Sequence, residues 1–372
     1  MRRGIGSIFE ISKEDYCKDN EFNIELLKKY YGEVADNYEF VSSGREAIAY
    51  VLKHIQNNQS HFNKVCLLPM YTCDTVILPF LHDGWEILYY PVHRNLFTNV
   101  SAFEEILEQH KPSVIFIHNY YGVDTNTEIR TLLEDQQRQG VIVIEDTTQD
   151  FAKSAFDFCA DYYIASLRKW FHITDGAFIA SKYQLKKIQK KERTQFVDLK
   201  WEALTQKKFY LDILNEKNYD DMQKIKQMFL KNNADAENLL YEETGIFAMS
   251  KLSKSLLKGI DIETSLTKRA ENAKSIYDSL YEFPGIELPL KYTGESVPLY
   301  VPIYVERREK IQEFMRRHDI FIPILWPIPQ QILITDKETK KIYMDLLALP
   351  CDGRYDTDDM KYMCDVLKRG LE

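Results

Sequence analysis

Three short stretches of the chain carry residue types and spacings that suit the chemistry of a single site. Ser43-Gly44-Arg45-Glu46 heads the helical pattern AIAYVLKHI, with serine and glutamate at capping-box spacing and a glycine that removes the side chain nearest the exposed amides. A helix start with glycine and arginine is a ready anion site; a plain, well-capped helix is the other reading. The run VIVIED places Asp146 at the carboxyl end of an apolar strand, where open α/β sheets gather their ligands, and the competing role is a helix N-cap. Gln149, three residues on, either offers its amide to the same ligand or faces solvent. In ASLRKWFHITDGAFIAS, Lys169 follows a strand ending near Ser166 and is flanked by Trp170 and Phe171. Burial among such neighbours lowers an amine's pKa and makes it a nucleophile toward carbonyls, whereas a lone lysine more often reaches out to water.

An anion site, a strand-end aspartate and a lysine behind a Ser-x-x-Lys turn are parts that one ligand needs together, pyridoxal 5'-phosphate (PLP). Its phosphate would take Gly44, Arg45 and Ser166, its aldehyde Lys169, and its pyridinium nitrogen Asp146, whose charge keeps the ring protonated. Competing chemistries find less in the sequence. There is no G-x-G-x-x-G and no phosphate-binding G-x-x-x-x-G-K-[ST]. Six cysteines are scattered without a C-x-x-C pair, which reads as reduced thiols, and eight histidines show no metal spacing. Forty-eight Lys and Arg against 57 Asp and Glu leave a formal charge of -9, which argues against nucleic acid or an anionic membrane as partner. No apolar run approaches the roughly 20 residues of a membrane span, and MRRGIGSIFEISKEDY lacks the core of a secretory signal, so the expected location is cytoplasmic.

The elements that must position these residues can be read from periodicity. Over 64–181, apolar β-rich runs at 65–70, 86–92, 113–121, 141–146, 161–166 and 176–181 alternate with helical stretches at 74–82, at 128–138 and from a capping box at Ser101 and Glu104 through 110. This alternation predicts a mainly parallel α/β sheet covered on both faces. Residues 184–243 turn polar with helical spacing, and their interleaved acids make a solvated face the expected reading. From 263 an amphipathic stretch, alternating runs at 297–305, a helix over 307–318, the stiff segment FIPILWPIP and a final helix opened by Asp356 predict a distinct α+β unit. The joint near 262 reads as continuous, not as a flexible tether.

With those residues in view, the chain resembles the DegT-type sugar aminotransferases, fold-type-I PLP-dependent enzymes, over nearly its whole length. SSGREA (42–47) stands where that family has Ser-Gly-Thr-x-Ala, LPMYTCDT (68–75) its Pro-x-x-Thr-aromatic motif, and HNYYG (118–122) its Tyr-Gly turn. EDTTQD (145–150) matches Glu-Asp-Ala-Ala-Gln and SLRKWFHITDG (166–176) the Ser...Lys...Glu-Gly-Gly stretch, while KRAENAKSIYDSL (268–280) and ILWP (324–327) resemble its C-terminal half. The resemblance implies a large domain over 26–262 built on a mainly parallel sheet, and a smaller α+β domain joining 1–25 to 263–372. It implies an aminotransferase that takes an amino group from an amino acid, glutamate first among them, to a keto sugar, nucleotide-linked, in a homodimer whose partner subunit closes the cofactor site. Alternatives with the same fold are a PLP-dependent sugar dehydratase or lyase and a catalytically degenerate member.

Carried over by position, Asp146 would bind the pyridine nitrogen, Gln149 the ring hydroxyl, Ser43, Gly44, Arg45 and Ser166 the phosphate, and Lys169 would be the catalytic lysine. Cys73 stands at the cofactor-ring position where the family has an aromatic residue. Asp175-Gly176-Ala177 replaces Glu-Gly-Gly, Lys169 follows Ser166 two residues sooner than in typical members, and the partner-directed Asn-x-Arg loop is not recognisable, 249–250 being where it would fall. Asn119, Tyr121, His172 and Trp326 are the expected acceptor contacts, because aromatic faces and neutral donors suit a sugar ring.

Overall fold

The computed structural model describes residues 4–15, 25–58, 62–152, 160–187, 191–214, 219–242, 244–294 and 296–372. Seven strands make the central sheet: β1 (Tyr38–Val41), β2 (Val65–Pro69), β3 (Glu86–Tyr90), β4 (Val114–His118), β5 (Ile142–Asp146), β6 (Tyr162–Ser166) and β7 (Ala177–Ser181). Their order is β1-β7-β6-β5-β4-β2-β3; β3 to β6 run parallel, and β7 and β1 are antiparallel at one edge. Strands β4 to β7 are buried along every residue. They read as unbroken apolar runs because each face of the sheet has its own core: Ile115, Val143 and Tyr163 on one side, Phe116, Ile144 and Ile164 on the other. Helices α1 (Glu25–Tyr31), α2 (Gly44–Asn58), α3 (Asp74–His82), α4 (Val100–Gln109) and α5 (Arg130–Arg138) accompany these strands.

Register is what builds the site. The β4–β5 pairing sets His118 opposite Asp146, and the β6–β7 pairing sets Ser166 opposite Ala177. His118, Asp146 and Ser166 are thus the last residues of three adjacent parallel strands, on the carboxyl edge of the sheet. That edge is where the orphan amides of following turns and helices also gather.

Two expected caps are built differently. Helix α4 starts two residues earlier than the Ser101 box implies, because the Asn99 side chain accepts from the Ala102 N–H at 3.1 Å. At Ser43 only half a capping box forms: the Glu46 N–H donates to Ser43 Oγ at 3.4 Å, but the Glu46 carboxylate is drawn away to Arg193 at 2.7 Å and the Phe247 N–H at 3.2 Å. A buried guanidinium outcompetes the local cap.

The polar segment after β7 is helical as expected, with α6 (Thr194–Asp212) and α7 (Tyr219–Glu242) packed together, then α8 (Lys251–Gly259) and α9 (Ile262–Leu280). Beyond it, β8 (Ile286–Glu287), β9 (Tyr300–Val305) and β10 (Leu346–Pro350) form a separate antiparallel sheet, with α10 (Arg308–Arg316), α11 (Lys337–Asp345) and α12 (Thr357–Leu371). The N-terminal segment docks on this unit: Ile5 bridges Ile320, and Arg354 donates to the carbonyls of Ser7 and Ile8 at 2.9 and 2.7 Å. Among the described residues no helix is long and apolar enough to cross a membrane. Cys66, Cys73, Cys351 and Cys364 are free thiols; Cys17 and Cys159 lie outside the described residues.

Candidate active site

A cavity of about 220 Å³ opens at the carboxyl edge of the sheet, and its wall includes Ser43, Gly44, Arg45, Cys73, Asp146, Gln149, Ser166, Lys169 and Trp326. Nine positions separated by up to 283 residues therefore meet at one place (326 minus 43). At the cavity's helical end, no described residue accepts a hydrogen bond from the backbone N–H of Gly44 or Arg45, the first residues of α2. A side-chain carbon added at Gly44 would stand 3.6 Å from Ser166 Cβ, in the space between the helix start and the strand end. These orphan donors, at the positive end of a 15-residue helix, are arranged to receive an anion.

Asp146 supplies the opposite charge. It is 8% exposed, and burial alone would raise its carboxyl; the hydrogen bond and charge of His118 and the Thr148 donors outweigh burial and hold it below the ordinary value. His118 Nδ1 lies 3.4 Å from Asp146 Oδ2, and its Nε2 is 2.8 Å from Thr72 Oγ1. The turn after β5 is locked by Thr148, whose N–H donates to Asp146 Oδ1 at 2.8 Å and whose hydroxyl accepts from the Ser166 N–H at 3.0 Å. Asp146 is no helix cap; a turn follows it. Gln149 accepts from the Tyr121 N–H through Oε1 at 3.0 Å, which leaves the donor end of its amide for the cavity it lines.

Lys169 ends a single turn of 3-10 helix over Leu167–Lys169, and it is exposed, not buried as its neighbours suggest. The turn explains the difference: Trp170 and Phe171 drop into the core, 2% and 1% exposed, while Lys169 projects from the other side. Trp170 is pinned there by its Nε1–H, which donates to the Thr148 carbonyl at 2.7 Å. The neighbouring Arg168 forks onto Glu237 of α7 at 2.7 and 3.1 Å, and Lys200 joins it at 2.9 Å. Burial would raise Glu237, but these two cations bring it down to about 2. Helix α7 also reaches Arg45, whose Nη1 donates to the Leu240 carbonyl and whose guanidinium lies 4.5 Å over the Tyr241 ring. One wall of the cavity is thus contributed by α7, a role that its solvated sequence pattern did not announce.

Not every expected contact lies in this cavity. Asn119 is buried behind it, donating to Glu145 and Asp150 at 2.8 and 3.0 Å. Tyr121 is also buried, with φ of 53°, and serves the site through its backbone N–H on Gln149. His172 faces the N-terminal segment, where burial lowers its imidazole against the pull of Asp15 and Glu10. Trp326 does reach the cavity and stacks in an aromatic cluster, 4.7 Å from Tyr71 and 5.4 Å from His118. Cys73 lines the wall with its thiol 2.9 Å from Thr75 Oγ1, so the aromatic surfaces come from His118, Tyr300 and Trp326 instead. Asp175 is fully buried, outside the cavity, and Met249 and Ser250 are buried against it and Gly176; they form no projecting arm.

Sequence reasoning missed His118 as the partner of Asp146, although the signal is present: both apolar runs, SVIFIH and VIVIED, end on a polar residue at the same register. It also missed Thr148 and Tyr300.

No protein-family model and no curated protein sequence matches the chain. Solved structures do. The aminotransferase PseC of Helicobacter pylori, involved in the biosynthesis of pseudoaminic acid, superposes with a TM-score of 0.67 at 11% identity, over 100% of this chain and 99% of that one. DesV of S. venezuelae, solved in complex with a ketimine intermediate, gives 0.64 at 14% identity over 93% and 89%. The ntda protein of Bacillus subtilis, with bound cofactor PMP, gives 0.62 at 16% identity over 92% and 77%. The chain has the fold of the DegT-type sugar aminotransferases. That fold places ligands at the carboxyl edge of its sheet, the edge occupied by this cavity.

Proposed function

We propose that the chain is a PLP-dependent aminotransferase that moves an amino group from an amino acid, with glutamate the first donor to test, to a nucleotide-linked keto sugar. The observation that carries this reading is the meeting of Asp146, Gln149, Ser166 and Lys169 with the start of α2 around one cavity. The donor set fits the cofactor: orphan amides for a phosphate, a buried carboxylate held ionised for a pyridine nitrogen, and a reachable amine. When bound, PLP supplies an aldehyde that bonds amines and a ring that accepts electrons.

The chain's residues have separate tasks in this reaction. The Gly44 and Arg45 N–H groups, with Ser43 and Ser166, would hold phosphate at the positive end of α2. Asp146 would keep a proton on the ring nitrogen, and His118 and Thr72 would keep Asp146 oriented. Gln149 would donate to the ring hydroxyl, with Tyr121 holding its other end. Lys169 Nζ would hold the aldehyde end of the cofactor and would take up and return, as general acid and base, the proton that the transfer moves. Aromatic faces at Trp326 and Tyr300 suit the flat side of a sugar. By the same reading the protein is a homodimer in solution, which sedimentation at micromolar concentration tests.

A panel pairing glutamate with nucleotide-linked keto sugars and with simple 2-oxo acids decides the substrate. Turnover of the sugars is expected; turnover confined to the oxo acids ends the sugar reading. A purified protein that takes up no PLP ends the aminotransferase reading altogether.

A further inference from the structure

The end of α7 lies against the start of α2 within one chain, and the contact is made by arginines. The last four carbonyls of a helix have no intrahelical partner and carry its negative end. In α7 two of them are taken in succession: the Leu239 carbonyl accepts from Arg193 Nη1 at 3.1 Å, and the Leu240 carbonyl from Arg45 Nη1. Arg193 also holds Glu46 at 2.7 Å. The first turn of α2 is thus tied to α7 through both residues 45 and 46, and Arg45 and Leu240 line the cavity together.

The two arginines of the cavity wall are held differently. Arg168 is neutralised by Glu237, one turn before Tyr241 on α7. Arg45 forms no ion pair with a described carboxylate: its Nη1 goes to a neutral carbonyl, its Nε has no hydrogen-bond partner, and its guanidinium lies 4.5 Å over the Tyr241 ring. Burial opposes its charge, while Tyr241 and, beyond ion-pair distance, Asp74 support it. A carbonyl and a ring fix a guanidinium without cancelling it as a bonded carboxylate would. The charge is therefore held in place beside the orphan N–H groups of Gly44 and of Arg45 itself. A fixed cation next to two free amides suits a dianion such as a phosphate ester. Met249 and Ser250, where the resemblance would put the partner-directed loop, are buried against Gly176 and Asp175 and cannot reach across to another subunit.

We propose that the Arg45 side chain, held by the end of α7 in its own subunit, is the counter-charge of the cofactor's phosphate, in place of an arm from the partner. The proposal rests on the PLP reading above. Arg45 touches the phosphate; Tyr241 is a positioning residue that keeps the guanidinium at the start of α2. Each subunit then anchors its cofactor with its own chain.

The test titrates cofactor-free protein with PLP and with pyridoxal, which keeps ring and aldehyde but lacks the phosphate, followed by absorbance. Arg45→Gln should weaken PLP by about tenfold or more and leave pyridoxal within about threefold. Arg45→Lys, which keeps the charge without the fork, should recover part of the loss. Tyr241→Ala, at an exposed ring, should weaken PLP by about threefold with pyridoxal unchanged, and Tyr241→Phe should restore it. Equal losses of both ligands in Arg45→Gln, or no loss of PLP, overturn the assignment. If Arg45→Gln does not fold, an unchanged PLP-to-pyridoxal ratio in Arg45→Lys and Tyr241→Ala overturns it instead. To assign the subunit, Arg45→Gln and Lys169→Ala chains are co-expressed under different tags and captured through both, and borohydride-trapped PLP is located by mass spectrometry. In such hybrids the Arg45→Gln chain should load no better than it does alone; loading at the wild-type level would mean that Arg45 serves the other subunit, and overturns the proposal. No captured hybrid, with a PLP-binding monomer in sedimentation, supports it, since no partner is then present. A protein that takes up neither ligand removes the aminotransferase reading and this proposal with it. One that takes up both equally well keeps that reading and loses the phosphate assignment.

Discussion

Asp146 and Asp175 are both buried carboxylates, at the end of β5 and just before β7 on either side of β6, 8% and 0% exposed, yet they are held in opposite ways. Asp146 faces an imidazole and keeps an edge toward a cavity, and its carboxyl is held below the ordinary value. Asp175 accepts from the Ser250 N–H at 3.0 Å and the Ser250 hydroxyl at 2.6 Å; burial dominates there and pushes its carboxyl up. One is a charge prepared for a ligand. The other is a tie between β7 and the N-cap of α8, where Ser250 in turn accepts from the Ser253 N–H. Next to Asp175 stands Gly176 at φ of 139°, where an added carbon would lie 2.8 Å from Met249 Cε. The comparison separates residues whose loss should abolish chemistry from residues whose loss should loosen the fold.

The largest effect is expected on the cavity side. Lys169→Ala should lower transfer by about 10³-fold or more, because the nucleophile is deleted, and move the melting temperature by no more than about 2 degrees, because the side chain is exposed. Borohydride trapping read by mass spectrometry, with a melting curve, checks both; a trapped adduct in the variant would put the reactive lysine elsewhere. Next, Asp146→Asn should lower the rate about 10²-fold while PLP affinity falls by less than about tenfold, since the phosphate contacts remain. Absorbance titration beside initial rates measures the two, and an affinity loss larger than the rate loss would collapse the distinction.

On the tie, Asp175→Ala should lower unfolding stability by about 2–3 kcal/mol, because it leaves the Ser250 N–H and hydroxyl buried without an acceptor. Urea unfolding measures it, and PLP uptake by the folded variant should be unchanged. The smallest effect is in pH. Asp175, with its carboxyl raised, contributes most below the ordinary carboxyl range and loses that contribution as pH rises through its raised value. Asp146, with its carboxyl lowered, contributes above that range and loses it as pH falls through its depressed value. From pH 7 toward about 4, wild type should therefore gain on Asp175→Asn, and below about 4 it should lose ground to Asp146→Asn in melting temperature. Shifts of the same sign would break the comparison.

The strands that carry the site were legible because burial on both faces leaves a plain signal, an apolar run ended by a polar residue. The first strand, YEFV at a sheet edge, is short and mixed, and LLALP in the C-terminal sheet follows directly on α11 with no turn residue to separate them. Gly44, Asp146 and Lys169 could be found from residue type and position. The exposure of Lys169 could not, since it depends on a single tight turn that separates a lysine from its aromatic neighbours. Arg45 was legible as a residue near an anion site but not as the anchor of α7, because that contact joins positions 195 apart. Arg269 looked like one more charge on an amphipathic helix; only packing shows it to be inside.

The rung pairing of β4 with β5 has one more consequence. Glu145 and Asp146 are adjacent acids, so they point to opposite faces of the sheet, Glu145 to Asn119 and Asp146 to His118. A slip by a single residue would exchange them and offer the ligand the wrong acid from the wrong side. Ile115 opposite Val143 and Phe116 opposite Ile144, which never touch the cavity, act as the teeth that keep this ruler aligned. A chain misaligned there could pass for folded by its helix content and still be inert.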